Sequence, residues 1–470
     1  MVWNNSVSFG RPSRSSKARP DARLIAGTLA VGLLLFGTRW ASHISVGPIY
    51  LADLLLLGAV VNEILASTAV RRPTLRHIVW PPLTLVLLLV WVAIRFAVGG
   101  VSAASIRDAA PYFYAIVGLL SWHSARRADA AVRARTFTFL FWVLGLHACW
   151  FVFVTFVPSV VQFFPVISAV QGVRLFTPRP DMDVAVLGMF TALILLKIFR
   201  SNQRRLGWIV AYAVCWVAAA ASPSRAGVLG AVTANLVVML LIFVRLRATK
   251  TQLVLAAAVP LAAILFAAIL PTTPAGTKFL AAVFPTAATD SSGYSEWGEN
   301  TAKARSDSWA RLNEWTLAED PSRAILGAGY GPDILAESGA LWLLVSAESG
   351  GAAVPRSPHN YWVGTLARNG IIGTALVILP IVVFLVRAYR ARGRLLDDPL
   401  SLMVVIIAVS LILPATFGVV LESPFGAVPF FWALGVGFST MGKPPHPPDA
   451  PTTQRSLHLP TRRSPRRSGW

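Results

Sequence analysis

The 470-residue chain is predicted to be an all-α polytopic membrane protein, with about 12 transmembrane helices and one long, partly helical extracytoplasmic loop between spans 9 and 10. Three observations carry that prediction. Hydrophobic residues make up 55% of the chain and charged residues 13%, against roughly 25% charged in an ordinary soluble domain. Apolar runs repeatedly reach the roughly 20 residues that a bilayer core demands of a helix. Of the 42 Lys+Arg, 29 gather in the tails and in every second connection between those runs, as they do when cytoplasmic loops retain positive charge. This excludes a disordered chain, a coiled coil and a conventional soluble enzyme. It also makes the net charge of +21 a marker of orientation, so no nucleic-acid partner is expected.

Taken in order, residues 1–23 form a basic cytoplasmic tail (Arg11, Arg14, Lys17, Arg19, Arg23) without a small-residue cleavage site. The first span is therefore expected to stay in the mature protein. Residues 24–271 hold spans 1–9, near 24–38, 44–66, 78–98, 106–122, 136–157, 182–198, 206–222, 226–244 and 253–271. Residues 272–358 form the extracytoplasmic loop. Spans 10–12 follow within 359–441, near 359–386, 400–420 and 425–441. Residues 442–470 form a basic, Pro-rich cytoplasmic tail, expected to be disordered along the inner leaflet. With the N-terminus inside, every inner segment is basic, for example Arg71-Arg72, Arg126-Arg127, Arg204-Arg205 and the run Arg387 to Arg394. Both termini are then cytoplasmic.

Within the long loop, 306–319 reads as an amphipathic helix. Ser306-Asp307 are its cap candidates, and Trp309, Leu312 and Thr316 share one face. The polar stretch 287–302 is expected to be mobile. Residues 334–347 are too short to span and contain Glu337, so a surface or re-entrant helix is expected there. The run Gly327-Ala328-Gly329-Tyr330-Gly331 is read as a turn, because no strand precedes it. Cys149 and Cys215 lie in apolar stretches and are read as small buried residues.

Once the inner basic residues are explained, the outer arginines stand out. They are Arg174 and Arg179 before span 6, Arg225 where span 8 begins, Arg305, Arg311 and Arg323 in the loop, and Arg356 at its end; Arg107 and Arg368 lie in spans 4 and 10. A charge in or beside hydrocarbon tends to have a partner or a task. The plain alternative is a salt bridge to Asp53, Asp108, Asp181 or Glu422, with Asp53 the expected partner of Arg368. Only His43 and His359 reach the outer face; His359 opens span 10, where the helix dipole favours a neutral imidazole able to accept a proton.

His359-Asn360, followed by Gly370 and Gly373, resembles the His-Asn…Gly-x-x-Gly signature of the O-antigen ligase and O-antigen polymerase superfamily. Arg174-Leu175, Ser224-Arg225-Ala226-Gly227, and Arg305-x-x-x-Trp309 with Asp320-Pro321 and Gly327-x-Gly329-x-Gly331 resemble its other elements, in the same order. The last spacing is looser than the family's, since residues 322–326 separate the proline from the first glycine. The resemblance implies a membrane glycosyltransferase at the outer face of the bacterial cytoplasmic membrane. Its donor would be an undecaprenyl-diphosphate-linked glycan and its acceptor a lipid- or glycan-hydroxyl, with no cofactor and no metal site. By that resemblance His359 is the general base and Arg225, Arg305 and Arg174 bind the diphosphate, to which guanidinium forks are well matched. Asn360, Arg311 and Arg356 support the site. Gly370 and Gly373, three residues apart, are read as structural, permitting close helix approach on one face. A single displacement would invert the anomeric carbon.

A repeat-unit polymerase of the same family carries the same signature. A lipid-linked glycan transporter is the reading from another class; it accounts for Arg95, Asp53 and Arg368 in the membrane but not for a long arginine-bearing loop. A metal-dependent lipid-phosphate-sugar transferase would want an acidic pair in the first outer loop, where residues 37–50 hold no Asp or Glu.

Overall fold

The computed structural model describes residues 22–46, 49–68, 80–168, 173–200, 205–222, 224–245, 258, 294–348 and 356–442. The described residues are dominated by helices, with two small antiparallel strand pairs, Ser45–Val46 with Ile49–Tyr50 and Val166–Ser168 with Val173–Arg174. In chain order the helices are α1 Ala22–Ala41, α2 Leu51–Thr68, α3 Trp80–Gly99, α4 Ala103–Phe113, α5 Ala115–Arg127, α6 Ala130–Phe156, α7 Pro180–Arg200, α8 Arg205–Ala221 and α9 Arg225–Arg245. They continue with α10 Tyr294–Leu317, α11 Pro321–Leu326, α12 Ile334–Ser338, α13 Ala340–Glu348, α14 Tyr361–Leu395, α15 Pro399–Ile412, α16 Pro414–Phe417 and α17 Pro424–Thr440.

Six stretches among the described residues are long and apolar enough to cross a membrane: α3, α6, α7, α9, α14 and the run Pro399–Phe417. Leu51–Val61 and α8 are shorter apolar helices. This is an all-α membrane protein. Its centre is built from α7, α15 and α17, whose side chains from Met182 to Ile198, Leu400 to Leu411 and Phe425 to Thr440 are mostly buried. Gly188 lets α7 and α9 touch backbone to backbone, since a Cβ there would lie 2.1 Å from the Ala231 Cα. By contrast α3 and α14 each keep an exposed apolar face, Val86, Val90, Ile94 and Val98 on one and Ile371, Ile378, Val382 and Leu385 on the other. Such faces suit lipid.

Several expected elements differ in detail. Span 4 (106–122) is divided into α4 and α5 at Tyr114, downstream of Pro111, which has no amide to donate. Within span 11 (400–420) the helix is divided ahead of Pro414, and the apolar run continues to Phe417. Span 5 begins earlier than expected, at Ala130, because Asp129 accepts from the Val132 amide at 2.7 Å and caps the helix there. Span 9 apart from residue 258, and the tails apart from residues 22–23 and 442, lie outside the described residues. Ser306 and Asp307 are not caps: α10 already runs from Tyr294, so they lie inside it, and residues 294–302 of the stretch expected to be mobile are helical. The run from Tyr294 contains no proline, and one glycine costs a helix only about 1 kcal/mol. The single helix expected over 334–347 is two, α12 and α13, divided at Gly339 with φ +76°. Cys215 is buried as expected, but Cys149 is exposed on its helix.

Candidate active site

The site is organised by the start of α14. Asn360 caps the helix, its buried Oδ1 accepting from the Trp362 and Val363 amides at 3.0 and 3.2 Å. His359 stands just before the cap with φ +53°, a left-handed conformation that costs a residue with a Cβ roughly 1–2 kcal/mol. The turn is held from both sides. The His359 amide donates to Ser357 Oγ at 3.2 Å, and Trp309 Nε1 donates to the Pro358 carbonyl at 2.6 Å. The positive φ at this half-buried histidine is imposed by its surroundings.

Two turns into α14, Arg368 is buried and pairs with Asp108 of α4, Nη1 to Oδ2 at 2.7 Å. This corrects the expected partner, Asp53: sequence separation of 260 residues gave no basis for choosing among the outer acids, and packing of α4 on α14 decides it. The same Asp108 oxygen accepts the Gly331 amide at 3.2 Å and faces Arg356 Nη2 at 3.5 Å. Arg356 also donates to the Gly331 carbonyl at 3.0 Å and faces Asp333 at 3.7 Å. One carboxylate thus orders two guanidiniums.

Gly370 and Gly373 do allow close approach, but Gly370 is not on a continuous helix face. It breaks α14, with φ +64° and ψ −170°. Carbonyls released by the break are taken up by the glycine run: the Ala328 amide donates to Ala367 O at 2.8 Å and the Gly329 amide to Arg368 O at 2.9 Å. Contact is tight on both sides, since a Cβ on Gly370 would lie 2.3 Å from Ile325 O and one on Gly327 would lie 2.3 Å from Arg368 O. The run is the expected turn, and its role is to lock the broken helix.

Glu422, in the connection before α17, was legible only as a salt-bridge acid; the structure brings it to the site. It is hydrogen-bonded to Ser357, and its carboxyl is pushed above the usual glutamate range by desolvation, against the opposing pull of Ser357 and the Arg368 and Arg107 charges. Its position in a connector framed by Pro414 and Pro424 at the His359 end was the available signal. Ser357 therefore links Glu422 to the His359 backbone.

The remaining arginines divide. Arg305 is half-buried on α10, one turn before Trp309 and on the same face, so the Trp309–Pro358 bond brings its face toward the His359 turn. Arg311 points to acids instead, Glu314 at 3.2 Å and Glu319 at 2.7 Å. Arg174 donates to the Gln162 and Phe164 carbonyls at 3.1 and 2.8 Å, tying its own loop together. Arg225 begins α9, whose first turn packs on the start of α7: a Cβ at Gly227 would lie 2.8 Å from Asp181 O. There Arg179 binds Asp181 at 2.8 Å and lies over the Phe425 ring at 4.8 Å, next to the Glu422 connector. Burial, with the Arg39 and Arg179 charges, holds His43 below the usual histidine range. The field at this end of the bundle is cationic.

Among the described residues no three His, Cys, Asp or Glu side chains group as metal ligands. A cavity of about 850 Å³ opens at the opposite end, between the starts of α6 and α15 and the ends of α14 and α17, remote from His359. Backbone strain and a buried ion pair coincide at the His359 end. Comparison with protein-family models and with curated proteins found no match to the chain.

Proposed function

We propose that this chain is a glycosyltransferase of the bacterial cytoplasmic membrane with about 12 spans, both termini cytoplasmic and the site facing outward. In this reading it transfers a glycan from an undecaprenyl-diphosphate carrier to an acceptor sugar hydroxyl. The observation that carries it is the strained His359 turn, held by Trp309, at a helix start with Arg356 three residues before it and Arg368 two turns into the helix. The acceptor oxygen attacks the anomeric carbon and passes its proton to the His359 imidazole. The bond from that carbon to the diphosphate oxygen breaks, and the lipid diphosphate leaves with the bonding pair. Arg305 and Arg225 are the cations assigned to it, with Arg174 assisting from its loop. Arg368, paired with Asp108, and Arg356, which faces Asp108 and Asp333, shape the site.

The test is purified protein in liposomes with a lipid-diphosphate-linked glycan and a defined acceptor. His359→Ala should abolish the new glycosidic product while expression and insertion stay normal; retained activity would refute the assignment. Elongation of glycan on the carrier itself would make the protein a polymerase. Movement of lipid without product would make it a transporter.

A further inference from the structure

The surroundings of α11 carry an inference independent of the reaction. Ile325 and Leu326, at the end of this short helix, are 49% and 39% exposed. They are not isolated on a polar surface. The backbone of Ile325 and Gly327 abuts Gly370 of α14, and the next residues bond to Ala367 and Arg368. On the other side Arg95 Nη2 of α3 donates to the Gly327 carbonyl at 2.8 Å, and a Cβ on Gly99 would lie 3.2 Å from the Tyr330 carbonyl. The exposed apolar faces of those two spanning helices, Ile94 and Val98 on α3 and Ile371 and Ile372 on α14, therefore continue onto Ile325 and Leu326.

Depth follows from helix rise. Seventeen residues separate Gly370 from Arg387, the first residue of the basic end of α14, or about 25 Å at 1.5 Å per residue. With a hydrocarbon core of about 30 Å, Gly370 falls about 5 Å inside the edge of the leaflet at the His359 end. We infer that α11 and the glycine run, Pro321–Gly331, insert shallowly into that leaflet, with Ile325 and Leu326 against lipid acyl chains.

The backbone is prepared for this. Non-helical chain at membrane depth is tolerated where its polar groups are satisfied by protein. The Gly327, Ala328 and Gly329 amides donate to Arg323, Ala367 and Arg368, and Gly327 and Gly329 are buried. The Gly327 carbonyl in turn accepts from Arg95, a charge inside a spanning helix that needs an acceptor. Asp320, just before the segment, accepts from the amide and hydroxyl of Ser322 at its exposed start.

Nitroxide accessibility tests the inference. Full-length protein with Cys149→Ala and Cys215→Ala would carry one label each at Leu326→Cys, Ile94→Cys or Glu319→Cys, in phosphatidylcholine–phosphatidylglycerol liposomes. The expected result is oxygen collision exceeding nickel-chelate collision at 326 as at 94, with the order reversed at 319. Nickel access at 326 matching that at 319 would overturn the inference. So would low access to both reagents, which would mean cover by protein such as a second copy. Ile325→Cys gives the same reading if Leu326→Cys does not fold.

Discussion

Asp108 is the position at which the architecture of the site is most exposed to a single change. One oxygen of its carboxylate receives Arg368 at 2.7 Å and the Gly331 amide at 3.2 Å, with Arg356 at 3.5 Å. The Arg368 and Asp108 side chains are 9% and 5% exposed, so Asp108→Ala leaves a buried guanidinium without its counter-charge. Loss of one partner from such a pair costs about 3–5 kcal/mol. The Arg356 contact, 27% exposed on the arginine side, adds no more than about 1 kcal/mol. Asp108→Ala should therefore destabilise by about 4 kcal/mol. Asp108→Asn, which keeps an acceptor, should cost about 2 kcal/mol, in line with the worth of a hydrogen bond to a charged group. Equilibrium unfolding in mixed detergent–SDS micelles, run as a double-mutant cycle with Arg368→Met, reads both numbers. A coupling energy of about 2 kcal/mol or more is expected for groups in contact. Additive single costs below about 0.5 kcal/mol would refute the claim that Asp108 orders the two arginines.

Gly370→Ala should cost about 3 kcal/mol, from a left-handed residue gaining a Cβ and from overlap with Ile325 O, read as lost folded yield by size-exclusion of detergent extracts. Trp309→Phe deletes the 2.6 Å bond to Pro358 O and should lower stability by about 1 kcal/mol, while glycan transfer falls more steeply because the His359 turn loosens; proportionate losses would count against a positioning role. Glu422 binds its proton more tightly when folded, so the stability it contributes is present at pH below the ordinary glutamate value and is lost as pH rises through the raised one. Glu422→Gln should thus match the native protein in thermal unfolding at pH 4 and exceed it at pH 7.5; a difference that does not change with pH would contradict this.

The fold class was readable because hydrophobic length and basic loops are local signals. The boundaries shifted where a residue acted through the backbone: Pro111 and Pro414 divided or shortened spans, and Asp129 started one early. The helix start after His359-Asn360 was readable, and with it the nearness of Arg356. What could not be read was pairing. Asp108 rather than Asp53 meets Arg368 because α4 packs on α14, a contact between residues 260 apart. Gly370 looked like a helix-packing residue because its spacing to Gly373 is helical; its φ of +64° is imposed by the incoming 325–329 segment. Glu422 carried no motif beyond its proline-framed connector, and the Ser357 hydrogen bond reveals its place. Arg174, whose motif position suggested ligand binding, and Arg311, given a supporting role, show the reverse, since the fold engages them with loop carbonyls and neighbouring glutamates.

The central claim is that the His359 turn is strained for chemistry. His359→Gly separates the two properties: it removes the penalty of φ +53°, worth roughly 1–2 kcal/mol, and with it the imidazole. Purified His359→Gly protein, assayed in liposomes with a lipid-diphosphate-linked glycan and acceptor, should unfold at a temperature equal to or above that of the native protein and form no glycosidic product. Product at the native rate, or a loss of product explained by a fall in unfolding temperature, would contradict the account.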